Sequence, residues 1–103
     1  MKMYILIKED IPEGFAIVGA AHASLAAYLK FSEEPEVKEW ISGINGPFYK
    51  VICKVGDLEF EKAKELEKHV IITESRLGNE EVAIAFMPRE EWPKSFKFFR
   101  LWK

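Results

Sequence analysis

Two side chains of this chain have the chemistry of a general acid/base pair. His22 stands at the centre of G-F-A-I-V-G-A-A-H-A-S-L-A-A-Y, residues 14–28, a stretch otherwise dominated by Ala, Gly and aliphatic side chains, and Glu74 follows the β-branched run V-I-I-T at residues 70–73. A carboxylate beside an imidazole fixes its tautomer, and an imidazole exchanges a proton near neutral pH. Open α/β sheets gather ligands at the ends of their strands, which is where Glu74 falls. At the helical period Phe15, Val18, Gly19, His22, Leu25 and Ala26 share one stripe, which is either a core seam or the wall of a site. The plain alternatives are an imidazole bonded to a nearby backbone carbonyl and a solvated carboxylate. Cys53, in the apolar run V-I-C-K-V, has no base beside it in sequence and is expected to pack as a small hydrophobe. Ser24 is expected to bond back to a helix carbonyl.

These residues need elements to position them. Residues 3–7, M-Y-I-L-I, form a continuous apolar run that suits a strand in the middle of a sheet, covered on both faces. Asp10, Pro12 and Gly14 break the chain before a first helix over residues 14–31. Ser32 and the carboxylates after it start a second helix that buries Val37, Trp40 and Ile41 and stops at Gly43. Asn45, Gly46 and Pro47 supply turn chemistry, and residues 48–55 return as a second strand. Asp57 caps a third helix over residues 58–68, with Leu58, Ala63, Leu66 and Phe60 on its apolar side. Residues 70–73 and 82–87 are two further strands. The tail, with Trp92-Pro93 and five large apolar side chains in residues 96–102, is expected to make a short helical turn and a closing strand. Strands alternating with helices predict one α/β domain over residues 1–103, a three-layer sandwich with a mixed four- or five-stranded sheet and helices on both faces.

Taken in order, G-x-x-x-x-x-A-x-H-A-S-x-x-A-Y from Gly14, then Trp40, Gly46 and K-V-I-C-K-V at residues 50–55, resemble the type-2 peptidyl-tRNA hydrolase family. The resemblance runs from the first strand to the strand near Val82. It implies the same layered fold and, for an intact site, attack of water on the ester joining a peptide to tRNA, with donors or a cation stabilising the oxyanion. By this resemblance the family's helix-start Lys falls on Phe15, its Gln on Gly19, its His on His22 and its Asp on Glu74, while its Ala-Gly becomes Ser75-Arg76 and its loop Thr has no counterpart. The expectation is therefore a degraded or reassigned site, with His22 and Glu74 as its remnants and with no cofactor or metal, acting as a binding module for a nucleotide, an RNA end or a protein chain. Two alternatives stand beside it. In one, the chain is still a hydrolase, and Lys8, Lys50 or Arg76 replaces the missing cation. In the other, it is a dimeric interaction protein whose tail aromatics are buried between subunits.

Composition narrows the classes. The chain has 103 residues, 49% of them hydrophobic and 14% aromatic, enough for a single core that buries roughly two-thirds of the unfolded surface. A single cysteine rules out an internal disulfide framework and a multi-cysteine zinc site, and fits a reducing, cytoplasmic setting. No signal-peptide pattern opens the sequence, and the apolar stretch at residues 15–29 falls short of the ~20 residues of a membrane span. The formal net charge of -2 is a poor start for tRNA binding. The acidic clusters near residues 33–39, 80–81 and 90–91 and the basic tail are expected to be a mixed, solvated surface.

Overall fold

A computed structural model describes residues 1–43 and 47–103; the predicted turn residues Asn45 and Gly46 lie outside them. The sheet has five strands in the order β3-β4-β1-β2-β5. β1 (Met3–Lys8) occupies the centre, paired in parallel with β2 (Lys50–Val55) and antiparallel with β4 (Glu80–Phe86). Its unbroken apolar run fits this place because both of its faces are covered. Met3, Ile5 and Ile7 enter one core with α1 (Glu13–Phe31) and α2 (Pro35–Ser42), while Tyr4 and Leu6 enter a second core with α3 (Asp57–Ala63) and the C-terminal aromatic residues. β3 (His69–Glu74) runs antiparallel to β4 and closes one edge; β5 (Arg100–Leu101) pairs with β2 and closes the other. The predicted three-layer α/β sandwich with a mixed sheet and helices on both faces is thus the observed architecture.

α1 lies on the sheet through its smallest side chains. Ala16, Gly19, Ala23 and Ala27 are buried against a β4 that presents Ala83 and Ala85, so helix and sheet approach closely. A bulge in β4 assists: the pairing steps from Ile72↔Ala83 to Thr73↔Glu81, which leaves Val82 as the extra residue and turns it into the same core as Ala83. A Cβ built on Gly19 would meet Val82 at 3.4 Å. At the other end of the helix, Lys30 Nζ donates to the carbonyl of His69 (3.2 Å) and ties α1 to β3.

The strands differ from expectation by one or two residues at their ends, β2 beginning at Lys50 and β4 at Glu80, and two helices differ more. α2 begins at Pro35 after Glu34, with Pro at a position whose N–H has no helical partner. It ends on Gly43 in the left-handed region (φ 73°), and it buries Val37 and Trp40 but leaves Ile41 outside. Trp40 Nε1 donates to the carbonyl of Tyr49 at 2.9 Å, which fixes the helix to the entry of β2. α3 stops at Ala63 instead of residue 68, and its apolar side is Phe60 and Ala63; Leu58 is 87% exposed. Asp57 is already inside the helix, and its start is satisfied by Glu59 Oε1 accepting from the Gly56 N–H at 2.9 Å. The tail does form a short turn, a 3-10 segment at Lys94–Phe98, followed by the closing strand.

Candidate functional site

The parallel strands β1 and β3 bring their C-terminal ends to one end of the sheet, where α1 also begins. Glu74, the last residue of β3, is half-buried there, opposite Glu80 in the ladder. Its carboxylate accepts from the backbone N–H of Arg76 (3.0 Å) and so caps the 3-10 turn Ser75–Leu77. That turn ends with Gly78 and Asn79 both in the left-handed region, φ 68° and 61°. The carboxylate is committed to shaping the turn that leads into β4.

His22 is elsewhere. It lies in the middle of α1 on the exposed side, about 120° around the helix from the Ala16-Gly19-Ala23-Ala27 line. No hydrogen bond or ion pair joins it to Glu74 or to any other described residue. The plain alternative, a buried or half-buried imidazole bonded to a backbone carbonyl, does not form either, because α1 turns its line of smallest side chains, and not the stripe through Phe15 and His22, towards the sheet. Phe15 is half-buried and packs on the core; Gly19 is buried under Val82. Positions 15, 19 and 22 are half-buried, buried and exposed in turn.

None of the three proposed replacement cations touches His22. Lys8 lies on the opposite face of the sheet, 5.1 Å from the centre of the Phe60 ring and 4.0 Å from Asp57. Lys50 stands over the rings of Phe48 (4.6 Å) and Trp40 (5.4 Å). Arg76 is exposed on the turn that Glu74 caps. Other basic residues are tied to acidic neighbours: Lys64 to Glu81 (2.6 Å) and Glu61 (2.9 Å), Lys68 to Glu34 (3.2 Å), Arg100 to Glu9. The hydrogen bonds that the Lys64 ammonium donates to Glu81 and Glu61 raise its pKa above the ordinary value. Among the described residues, no three His, Cys, Asp or Glu side chains converge as a metal would require.

Two grooves flank the helices. One, of about 400 Å³, runs between α1 and β2, with Ala20, Ser24, Ile52 and Trp102 in its walls and Lys50 at its rim. The other, of about 490 Å³, lies between α3 and the C-terminal turn, lined by Leu66, Pro93, Phe96 and Phe99 and overhung by Phe98. The tail rings pack within the chain itself. Phe96 is buried, Trp92 stacks on it (centroids 5.4 Å apart), Tyr4 meets both edge-on, and of the tail rings Phe98 alone is mostly exposed, at 83%.

Cys53 is buried in the second core, as its sequence context predicts, and burial pushes its thiol up to about 11. The thiolate is the reactive form. At pH 8 the native protein is therefore expected to react with Ellman's reagent at least about 100-fold more slowly than the unfolded chain; comparable rates would place the thiol at the surface. The same shift has a sign for stability. Because the fold disfavours the thiolate, this group's contribution falls as pH rises from 9.0 to about 11.

The feature that residue-by-residue inspection missed is the outer side of α1. Ile17, Val18, Leu25 and Leu29 are 62, 45, 58 and 63% exposed, and no charged residue occurs between Glu13 and Lys30. The signal was in the sequence: a helix apolar on every side is normally covered on every side. By length and composition α1 is apolar enough to cross a membrane, yet it is seated on the sheet as a layer of the sandwich. No protein-family model matches the chain, and no curated protein matches it.

Proposed function

We propose that the chain is a non-hydrolytic binding domain of type-2 peptidyl-tRNA-hydrolase-like architecture, and that it binds protein through the outer face of α1. The observation that carries this reading is the position of His22: exposed on an apolar helix face, with no carboxylate to orient it and no cation beside it among the described residues. A general base needs a substrate proton within hydrogen-bond reach, and an ester hydrolase needs donors where the oxyanion develops. Phe15 supplies neither, and Glu74 is occupied in capping.

RNA is a poor fit for the same face. Phosphate contacts dominate RNA affinity, and this side of α1 carries no Lys or Arg. The expected result with an N-blocked aminoacyl-tRNA is ester cleavage no faster than the enzyme-free blank, for the wild type and for His22→Ala alike. Turnover that His22→Ala abolishes would reinstate the hydrolase.

A further inference from the structure

We infer that the occupant of the α1 face is a second copy of this chain, with the two α1 helices antiparallel about a two-fold axis that passes between Ala21 and His22. The inference rests on the binding-domain reading and names its partner.

The face is self-complementary in size. Gly14, Val18, Ala21, Leu25 and Leu29 follow one another at spacings of four, three, four and four along the helix, which keeps them on one side, opposite the buried alanines. Turned about an axis between Ala21 and His22, Gly14 meets the partner's Leu29, Val18 meets the partner's Leu25, and Ala21 meets the partner's His22. Gly14 gives Leu29 room at each end, Val18 packs on Leu25, and Ala21 lies nearest the axis with His22 on its flank. The relation is isologous, as a two-fold dimer requires.

The area fits as well. The three branched side chains of this seam, Val18, Leu25 and Leu29, leave on the order of 300 Å² of apolar surface open, within the range of the largest patch on a typical monomer. Doubled across the axis and extended by Gly14, Ala21 and His22, the contact covers about 1,000 Å², the lower bound for a specific interface. No ion must be desolvated, because both charged residues of α1, Glu13 and Lys30, lie on its sheet-facing half. A lipid surface suits the face less well: an interfacial helix has Lys or Arg along its flanks, and here the sole basic residue, Lys30, is bonded to β3.

Sedimentation equilibrium of the whole chain between about 1 and 200 µM tests the association. A dimer is expected, and Leu25→Glu, which buries two carboxylates per dimer, should weaken it at least about 100-fold. Every variant used here changes an exposed residue, so a thermal melt close to wild type shows that each is folded. Leu58→Glu, an equal change on the 87% exposed residue of α3, should leave the dimer intact. Cross-linking tests the geometry. Under mild oxidation Ala21→Cys should form an interchain disulfide, whereas Gly14→Cys should not, since antiparallel pairing holds the two copies of residue 14 about 22 Å apart along the axis. The buried Cys53 does not compete. A monomer throughout, a dimer indifferent to Leu25→Glu, equal cross-linking at both positions, or a monomer that floats with neutral vesicles would each overturn the inference. The blank result of the hydrolysis assay would stand in every one of those cases.

Discussion

Replacing Phe86 by Ala is expected to cost about 3–5 kcal/mol, the range for removing a large buried aromatic, and to lower the melting temperature by about 15–30 °C. Phe86 is fully buried at the end of β4 and holds the second core together from its centre. Its ring meets Phe96 edge-on at 5.2 Å, Trp92 at 6.0 Å and His69 at 5.7 Å. Around it Tyr4 bridges Trp92 and Phe96, and His69 Nδ1 is held 2.7 Å from the Leu66 carbonyl. Truncation leaves a cavity that these rings cannot close without giving up contacts with one another. Against a total stability of about 5–15 kcal/mol for a domain of this kind, that loss leaves a marginal protein. Phe98→Ala is the matched control: the same deletion at an exposed ring should change stability by no more than about 0.5 kcal/mol. Chemical denaturation measures both. A loss below about 1 kcal/mol at Phe86 would mean that the cluster is not a packed core.

The second large effect concerns the resemblance itself. Restoring the family's polar residues with Phe15→Lys and Gly19→Gln is expected to destabilise the domain by about 3–5 kcal/mol and to produce no hydrolysis. Most of that cost arises at position 19. A Cβ there already reaches Val82 at 3.4 Å, a contact the helix tolerates, so Gly19→Ala alone should be close to neutral or gain up to about 1 kcal/mol from helix propensity. The amide of Gln has nowhere to go except into the side chains of Val82 and Ala83, where it is crowded and unpaired. Phe15→Lys adds the loss of a half-buried ring. If the double variant melts with the wild type, Gly19 faces space instead of the sheet; if it cleaves peptidyl-tRNA, the proposed loss of chemistry is wrong.

Much of the fold was legible because single residues decide single outcomes. The unbroken M-Y-I-L-I places β1 between two layers, Gly43 stops α2, and the crowd of rings after Trp92 has to close a core. What was not legible turned on packing choices that hydropathy does not distinguish. Around α1 every side is apolar, so the face that meets the sheet is selected by size, and the Ala16-Gly19-Ala23-Ala27 line wins because it alone allows close approach. Leu58 and Phe60 are both apolar at the start of α3; Phe60 goes inside because the larger ring fills the space beside Val55 and Leu6. The site was read least well. Glu74 was identifiable as a strand-end carboxylate, but its role as a cap depends on the Arg76 N–H returning towards it. Val82 reaches Gly19 through a bulge that its own sequence does not announce.

The central strand precedes both of its sheet neighbours in the sequence. Ile5 pairs with Ile52 on one side and with Ala85 on the other, so one edge of β1 waits for β2 and the other, longer, for β4. Until then β1 and the uncharged span of α1 emerge together as adhesive, unpaired surface. Folding dominated by such distant partners is slow and exposed to aggregation. Nascent chains halted before β4 should therefore be held by chaperones or lost, because only the arrival of β4 covers the second edge of the central strand.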